Sequence, residues 1–205
     1  MTITTKYILV IFFAYLLGSS SMSYYLSRIN GVNIRERGSK NLGASNAMIL
    51  MGWKAGIIVG IHDIGKAALA VILAKCFFPD SAYIGAVAGV AAVLGHIFPF
   101  YLKFQGGKGF ASFIGMALAL HWKSALVLLV VVVIVTLVTD YIVVGTMTTI
   151  ISFPTYIGFS SHNYILAMII CIATAVIIYK HRENLVRIWN GTEIGFRSAN
   201  RGDHR

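Results

Sequence analysis

Two short runs in this chain combine a pliant backbone with positive charge. Residues 35–46 read Arg35-Glu36-Arg37-Gly38-Ser39-Lys40-Asn41-Leu42-Gly43-Ala44-Ser45-Asn46, and residues 105–109 read Gln105-Gly106-Gly107-Lys108-Gly109. Small residues and glycines let successive N–H groups point into one concavity, a geometry that suits an anion. In the first run Arg37 and Lys40 add charge, and Ser39, Asn41 and Asn46 add hydrogen bonds. An ordinary loop on the cationic face of a membrane would have the same composition. In the second run, three glycines surround one lysine and open onto an apolar helix, whose first-turn N–H groups and dipole favour a phosphate. It is not a Walker A loop. Its first glycine and the lysine are too close, and neither Ser nor Thr follows the lysine, so ATP is not implied.

Two further polar sets need an explanation. His181, Asn184 and Arg187 are spaced by three, which puts them on one face of a helix, and Gly191-Thr192-Glu193 follow. Leu185, Ile188 and Trp189 give that helix an apolar side for a membrane interface. The other set is His62, Asp63 and Lys66, inside an apolar stretch. Asp63 lies roughly 12 Å into that stretch at helical rise. Charges at such depth mark function or a buried ion pair, and the i,i+3 spacing of Asp63 and Lys66 favours a pair that fixes the helix in a bundle. His96, in Gly95-His96-Ile97-Phe98-Pro99, fits a loop anchor and a site residue equally.

The elements that must hold these groups are membrane helices. The 205 residues are 58% hydrophobic and 12% charged, half the charge density of about 25% in soluble domains. A span takes roughly 20 apolar residues. The pattern predicts an all-α integral membrane protein: a seven-span helical bundle with cytoplasmic substrate-binding loops, forming a single membrane domain over 1–205. The predicted spans are 7–27, 55–76, 83–102, 110–120, 124–138, 141–159 and 164–179, with a cytoplasmic tail from 180 to 205. The fourth is too short to cross alone and reads as a half-helix or a partly re-entrant piece. Residues 7–27 read as a retained first span, because no small-residue cleavage site precedes Tyr24-Tyr25.

Charge orients the bundle. Thirteen of the seventeen Lys and Arg fall on one predicted side: Arg28, Arg35, Arg37, Lys40 and Lys54; Lys103 and Lys108; Lys180, Arg182, Arg187, Arg197, Arg201 and Arg205. This puts the N-terminus outside and the C-terminus in the cytoplasm. The net charge of +10 is therefore a topology signal and an anion-facing surface, and nucleic acid is not expected. Cys76 and Cys171 lie far apart in apolar segments and read as small buried hydrophobes, with no disulfide framework or metal site.

Taken in order, these features resemble one family. Gly18-Ser19 is followed by Gly38-Ser39-Lys40-Asn41-Leu42-Gly43-Ala44-Ser45-Asn46, then by Asp63 and Lys66, then by Gly95-His96 with Pro99. Phe104 and Gly106-Gly107-Lys108-Gly109 come next, and His181, Asn184 and Glu193 close the series. The sequence is similar, from about residue 11 to 193, to the acyl-phosphate:glycerol-3-phosphate acyltransferases. The resemblance implies a seven-span enzyme that moves a fatty acyl group from acyl phosphate to the 1-position of glycerol 3-phosphate. The product is lysophosphatidic acid, for phospholipid synthesis in the bacterial cytoplasmic membrane. The donor is neither acyl-CoA nor acyl carrier protein, and no cofactor or metal is implied. An enzyme that forms acyl phosphate is the implied functional partner.

By motif, Ser39, Lys108, His181 and Asn184 are the implied catalytic residues. Asn41, Gly43, Asn46, Gly106, Gly107, Gly109, Thr146 and Glu193 are the implied substrate-binding ones. The sequence departs from the family pattern at four places. Lys40 stands for a glycine, Ile49 for a site arginine, Val143 for one of two serines, and Ala67 for the glycine expected in the Asp-x-x-Lys-Gly run, which here reads Asp63-Ile64-Gly65-Lys66-Ala67. The arginine is the weightiest loss, since a lysine is not a bidentate fork.

The chemistry would need little from the protein. Acyl phosphate is already an activated mixed anhydride, so catalysis is positioning and charge stabilisation, with no covalent nucleophile required. The proton of the attacking hydroxyl would go to a substrate phosphate oxygen or to His181. Two rival readings are a catalytically impaired relative that binds lipid precursors, motivated by Ile49 and Val143, and a small anion transporter. The transporter reading is weakened by the lack of a second, repeated copy of the glycine loops.

Overall fold

The computed structural model describes residues 1–197, and every regular element among them is helical. Arg201 and Arg205, counted above among the tail cations, lie outside the described residues. The chain divides into two compact units, residues 1–120 and 121–205.

The first unit holds α1 (Ile3–Ser19), α2 (Met22–Ile29), α3 (Ala44–Met51), α4 (Trp53–Phe77), α5 (Ile84–Ile97), a 3-10 turn (Phe100–Leu102) and the beginning of α6 (Phe110–Thr139). α5 is its centre, with twelve of its fourteen residues buried. Lipid gives no hydrophobic drive for one apolar helix to find another, so close approach must come from small side chains. A Cβ on Gly18 of α1 would overlap the backbone of Ala92 of α5, and one on Gly95 would overlap the backbone of Tyr15. Gly115 of α6 lies against the backbone of Ile64 of α4 in the same way. Any side chain at these positions would push two helices apart.

The predicted first span is present over Ile3–Ile29, but it is interrupted. Ser20 and Ser21 separate α1 from α2. A break inside the membrane frees carbonyls that lipid cannot satisfy. Here the Tyr101 hydroxyl donates to Ser19 O at 3.0 Å, and Lys66 Nζ donates to Ser20 O at 2.6 Å.

The second unit holds the rest of α6, α7 (Ile142–Ser160) and α8 (Tyr164–Trp189). The predicted rods 110–120 and 124–138 are the two parts of α6, joined across His121, whose φ of −151° and ψ of 78° are not helical. Among the described residues six helices are long and apolar enough to cross a membrane, Phe110–Thr139 being the longest of them. Pro154 sits inside α7. Proline has no N–H to give to the carbonyl four residues back, which is that of Ile150. The Thr174 hydroxyl of α8 donates to Ile150 O at 2.9 Å instead.

Two expectations need correction. Cys76 and Cys171 are exposed, not buried; on membrane helices the outward face meets lipid, so an apolar thiol is tolerated there. The run 35–46 is not all loop, since Ala44, Ser45 and Asn46 form the first turn of α3, which starts after Gly43.

Candidate active site

In the first unit the two cationic runs lie side by side. Asn46 is fully buried, and its carboxamide shapes the first run from within. Its Nδ2 donates to Ile34 O at 3.0 Å and Arg37 O at 3.2 Å, and its Oδ1 accepts from the Ser39 N–H at 2.9 Å. Both donors and one acceptor lobe are thus used on the protein's own backbone. Gly38 and Lys40 both have left-handed φ, 59° and 55°. Gly38 also needs to lack a side chain, because a Cβ would strike the Asn46 Oδ1. Lys40 adopts the glycine-like conformation with a full side chain. Ser39 and Lys40 are exposed, Asn41 and Gly43 half-buried.

The second run is fixed to the end of α5. The Gly106 N–H donates to Ile97 O at 3.0 Å and the Gly107 N–H to His96 O at 3.1 Å. These two amides serve the loop's path. Gly109 has a φ of 97°, and α6 begins at the next residue. Lys108, half-buried between them, is thereby set at the start of α6, where first-turn N–H groups lack intrahelical acceptors. A hydrogen bond from Arg35 Nη2 to Gln105 Oε1 at 2.6 Å ties the two runs together.

In the second unit, His181 and Asn184 are buried on one face of α8, as their spacing predicts. The His181 Nδ1 is 2.9 Å from Ile177 O. A carbonyl only accepts, so Nδ1 carries the proton and a neutral ring keeps its lone pair on Nε2. Glu193 binds two partners at once: Asn184 Nδ2 donates to its Oε1 at 2.6 Å, and Arg187 Nε to its Oε2 at 2.6 Å. Farther along, the Phe196 N–H donates to Asp140 O at 2.7 Å and the Arg197 N–H to Asp140 Oδ1 at 2.9 Å. Asp140 was not singled out from sequence. A lone carboxylate between two apolar runs, with basic residues downstream, was the available signal. Thr146 is buried on α7. Among the described residues no group of three His, Cys, Asp or Glu is arranged to hold a metal ion.

The comparisons with known proteins agree in kind. A family model described as glycerol-3-phosphate acyltransferase matches residues 8–191. The chain belongs to that family. It is 35% identical to "Glycerol-3-phosphate acyltransferase 1" of Oceanobacillus iheyensis, over 89% of this chain and 91% of the relative. To a glycerol-3-phosphate acyltransferase of Brucella anthropi it is 37% identical, over 88% of this chain and 89% of the relative. Among solved structures it is similar to PlsY, an integral membrane glycerol 3-phosphate acyltransferase, in its glycerol 3-phosphate form. That likeness has a TM-score of 0.90 at 30% identity, covering 97% of this chain and 99% of the other. The lysophosphatidic acid form of the same protein gives a TM-score of 0.86. The acyltransferase family therefore accounts for an integral membrane chain with several spans.

Among the departures from the family pattern, Ile49 is on α3 with 49% of its surface exposed, and Val143 is buried on α7. Ala67 is fully buried in α4.

Proposed function

We propose that this chain transfers a fatty acyl group from acyl phosphate to the 1-hydroxyl of glycerol 3-phosphate. The hydroxyl oxygen bonds to the acyl carbon, the acyl–phosphate bond breaks, and lysophosphatidic acid and inorganic phosphate leave. The observation that carries this reading is the match to glycerol-3-phosphate acyltransferases over residues 8–191. The donor rests on the motif resemblance and on the absence from the sequence of a second phosphate-cradling loop suited to a nucleotide. Lys108 with the first-turn amides of α6 would hold one substrate phosphate. Ser39, Asn41 and Gly43 would line the first run, with Asn46 keeping its shape. Gly106, Gly107 and Gly109 would aim Lys108. His181, with its lone pair on Nε2, is the candidate acceptor for the hydroxyl proton, a substrate phosphate oxygen being the other. Asn184 and Glu193 would order the tail, and Thr146 would contribute a buried hydroxyl.

The same reading places the protein in the bacterial cytoplasmic membrane, N-terminus outside and C-terminus in the cytoplasm, near an enzyme that supplies acyl phosphate. Arg35 with Gln105 and Asp140 with Arg197 join segments that this topology puts on one face; which face is cytoplasmic rests on the distribution of lysine and arginine alone. The test is purified protein with acyl phosphate and labelled glycerol 3-phosphate, read as lysophosphatidic acid formed. Product from acyl-CoA alone would overturn the donor.

A second reading, an impaired relative, is favoured by Ile49 standing where the family pattern has an arginine. In that case wild type shows no turnover, and Ile49→Arg restores some by supplying the missing phosphate-facing charge.

A further inference from the structure

His96 is buried at the inner end of α5, between the membrane-embedded charges of α4 and the glycine–lysine loop. Lys66 Nζ lies 2.8 Å from Asp63 Oδ1, 2.6 Å from Ser20 O and 3.0 Å from His96 Nδ1. The same Nδ1 is 3.3 Å from Asp63 Oδ1. In one tautomer Nδ1 accepts from the lysine, and in the other it donates to the carboxylate; in both the ring is held by the Asp63–Lys66 pair.

The other side of the ring faces Gly107. A Cβ built on Gly107 would collide with His96 Nε2 and lie 2.7 Å from its Cε1 and 2.9 Å from Leu42 O. The imidazole therefore fills the space a side chain would take, and the Leu42 carbonyl of the first run borders the same spot. Gly107 also donates its N–H to the backbone of His96. One ring thus meets the α4 ion pair and the glycine loop, at a spot the first run borders.

We propose that His96 is a positioning residue for the transfer reaction: clamped by the Asp63–Lys66 pair, it sets the path of Gly106–Gly109 and so the place of Lys108. The inference rests on the acyl-transfer reading and on the glycine loop as a phosphate site. It explains why the loop needs glycine at 107, and gives the charged pair kept inside α4 a role.

The test is a double-mutant cycle of His96→Ala and Gly107→Ala, with each phosphate substrate varied in turn and Tm measured in detergent. His96→Ala should raise the KM of one phosphate substrate about tenfold while kcat changes much less, as loss of a binding geometry requires. Gly107→Ala should do at least as much. Because the added methyl meets the imidazole, the double variant should be no worse than the worse single one, in KM and in Tm, instead of showing the product of the two effects. His96→Asn keeps an acceptor for Lys66 but cannot reach Gly107. It should therefore retain most of the Tm and still show the KM defect, and it decides the matter if His96→Ala does not fold. Unchanged KM in folded His96 variants of an active enzyme, or defects that multiply in the double variant, would overturn the inference alone. A wild type that does not turn over acyl phosphate and glycerol 3-phosphate would overturn the acyl-transfer reading and the positioning role with it.

Discussion

Lys108 and Lys40 carry like charges but ask different things of the backbone. Lys108 follows two glycines whose N–H groups are bonded to α5, so its ammonium is delivered by a fixed loop. Lys108→Ala should remove a charge-assisted contact worth about 1.5–3 kcal/mol. Turnover at sub-saturating substrate should then fall by at least about tenfold; equal kcat/KM in the two proteins would sink the phosphate-site assignment. Lys40 sits at a φ of 55°, where a Cβ costs about 1 kcal/mol. Lys40→Gly should accordingly raise Tm, and a lower Tm would mean that the lysine makes compensating contacts. The glycine–lysine loop and the His181, Asn184, Glu193 series were legible in the sequence because spacing and residue type are local properties. The use of Gly106 and Gly107 was not. Whether an amide faces a ligand or a neighbouring carbonyl depends on where α5 ends, and no local pattern encodes that. His96 was ambiguous for the same reason, since its neighbours come from α4 and from Gly107 of the loop that follows α5.

At the scale of elements, the apolar runs overlap the long helices because length and apolar content are what a span requires, but α8 continues past the predicted end at 179 to Trp189. Hydropathy also anticipated the two-part α6. It missed the interruption at Ser20, since a broken helix in lipid depends on distant donors, here Tyr101 and Lys66, that no window of neighbouring residues reveals. Pro154 shows the same dependence and allows a direct measurement. Thr174→Val leaves Ile150 O without the hydroxyl that replaces the missing proline N–H. It should destabilise the protein by about 1–3 kcal/mol, the cost of stranding a buried acceptor. In a background where Pro154→Ala restores the backbone donor, the same substitution should cost much less. Equal losses in both backgrounds would show that Thr174 acts through packing alone.

For the whole molecule, the testable claim is sidedness. In a chain whose exposed Cys76 and Cys171 are replaced by alanine, Ser39→Cys and Glu183→Cys should react with an impermeant thiol reagent only in inverted vesicles. Ser161→Cys, at the turn between α7 and α8, should react only from outside intact cells. Labelling in the opposite pattern would reverse the orientation drawn from the lysines and arginines.

The lysine of α4 also bears on how the chain is made. During synthesis α1 leaves the ribosome before α4, and α5 leaves after it. A charged group at the centre of an isolated helix costs roughly 2.5–3.5 kcal/mol to place in the bilayer, and α4 brings two. Asp63 and Lys66 offset part of this within their own helix at 2.8 Å. Of the lysine's remaining acceptors, Ser20 O is already in the membrane, while His96 is still thirty residues from being built in. The interruption after α1 therefore offers α4 a docking point at the moment of insertion. A chain that began at α4 would have to enter the bilayer with that ammonium answered by Asp63 alone.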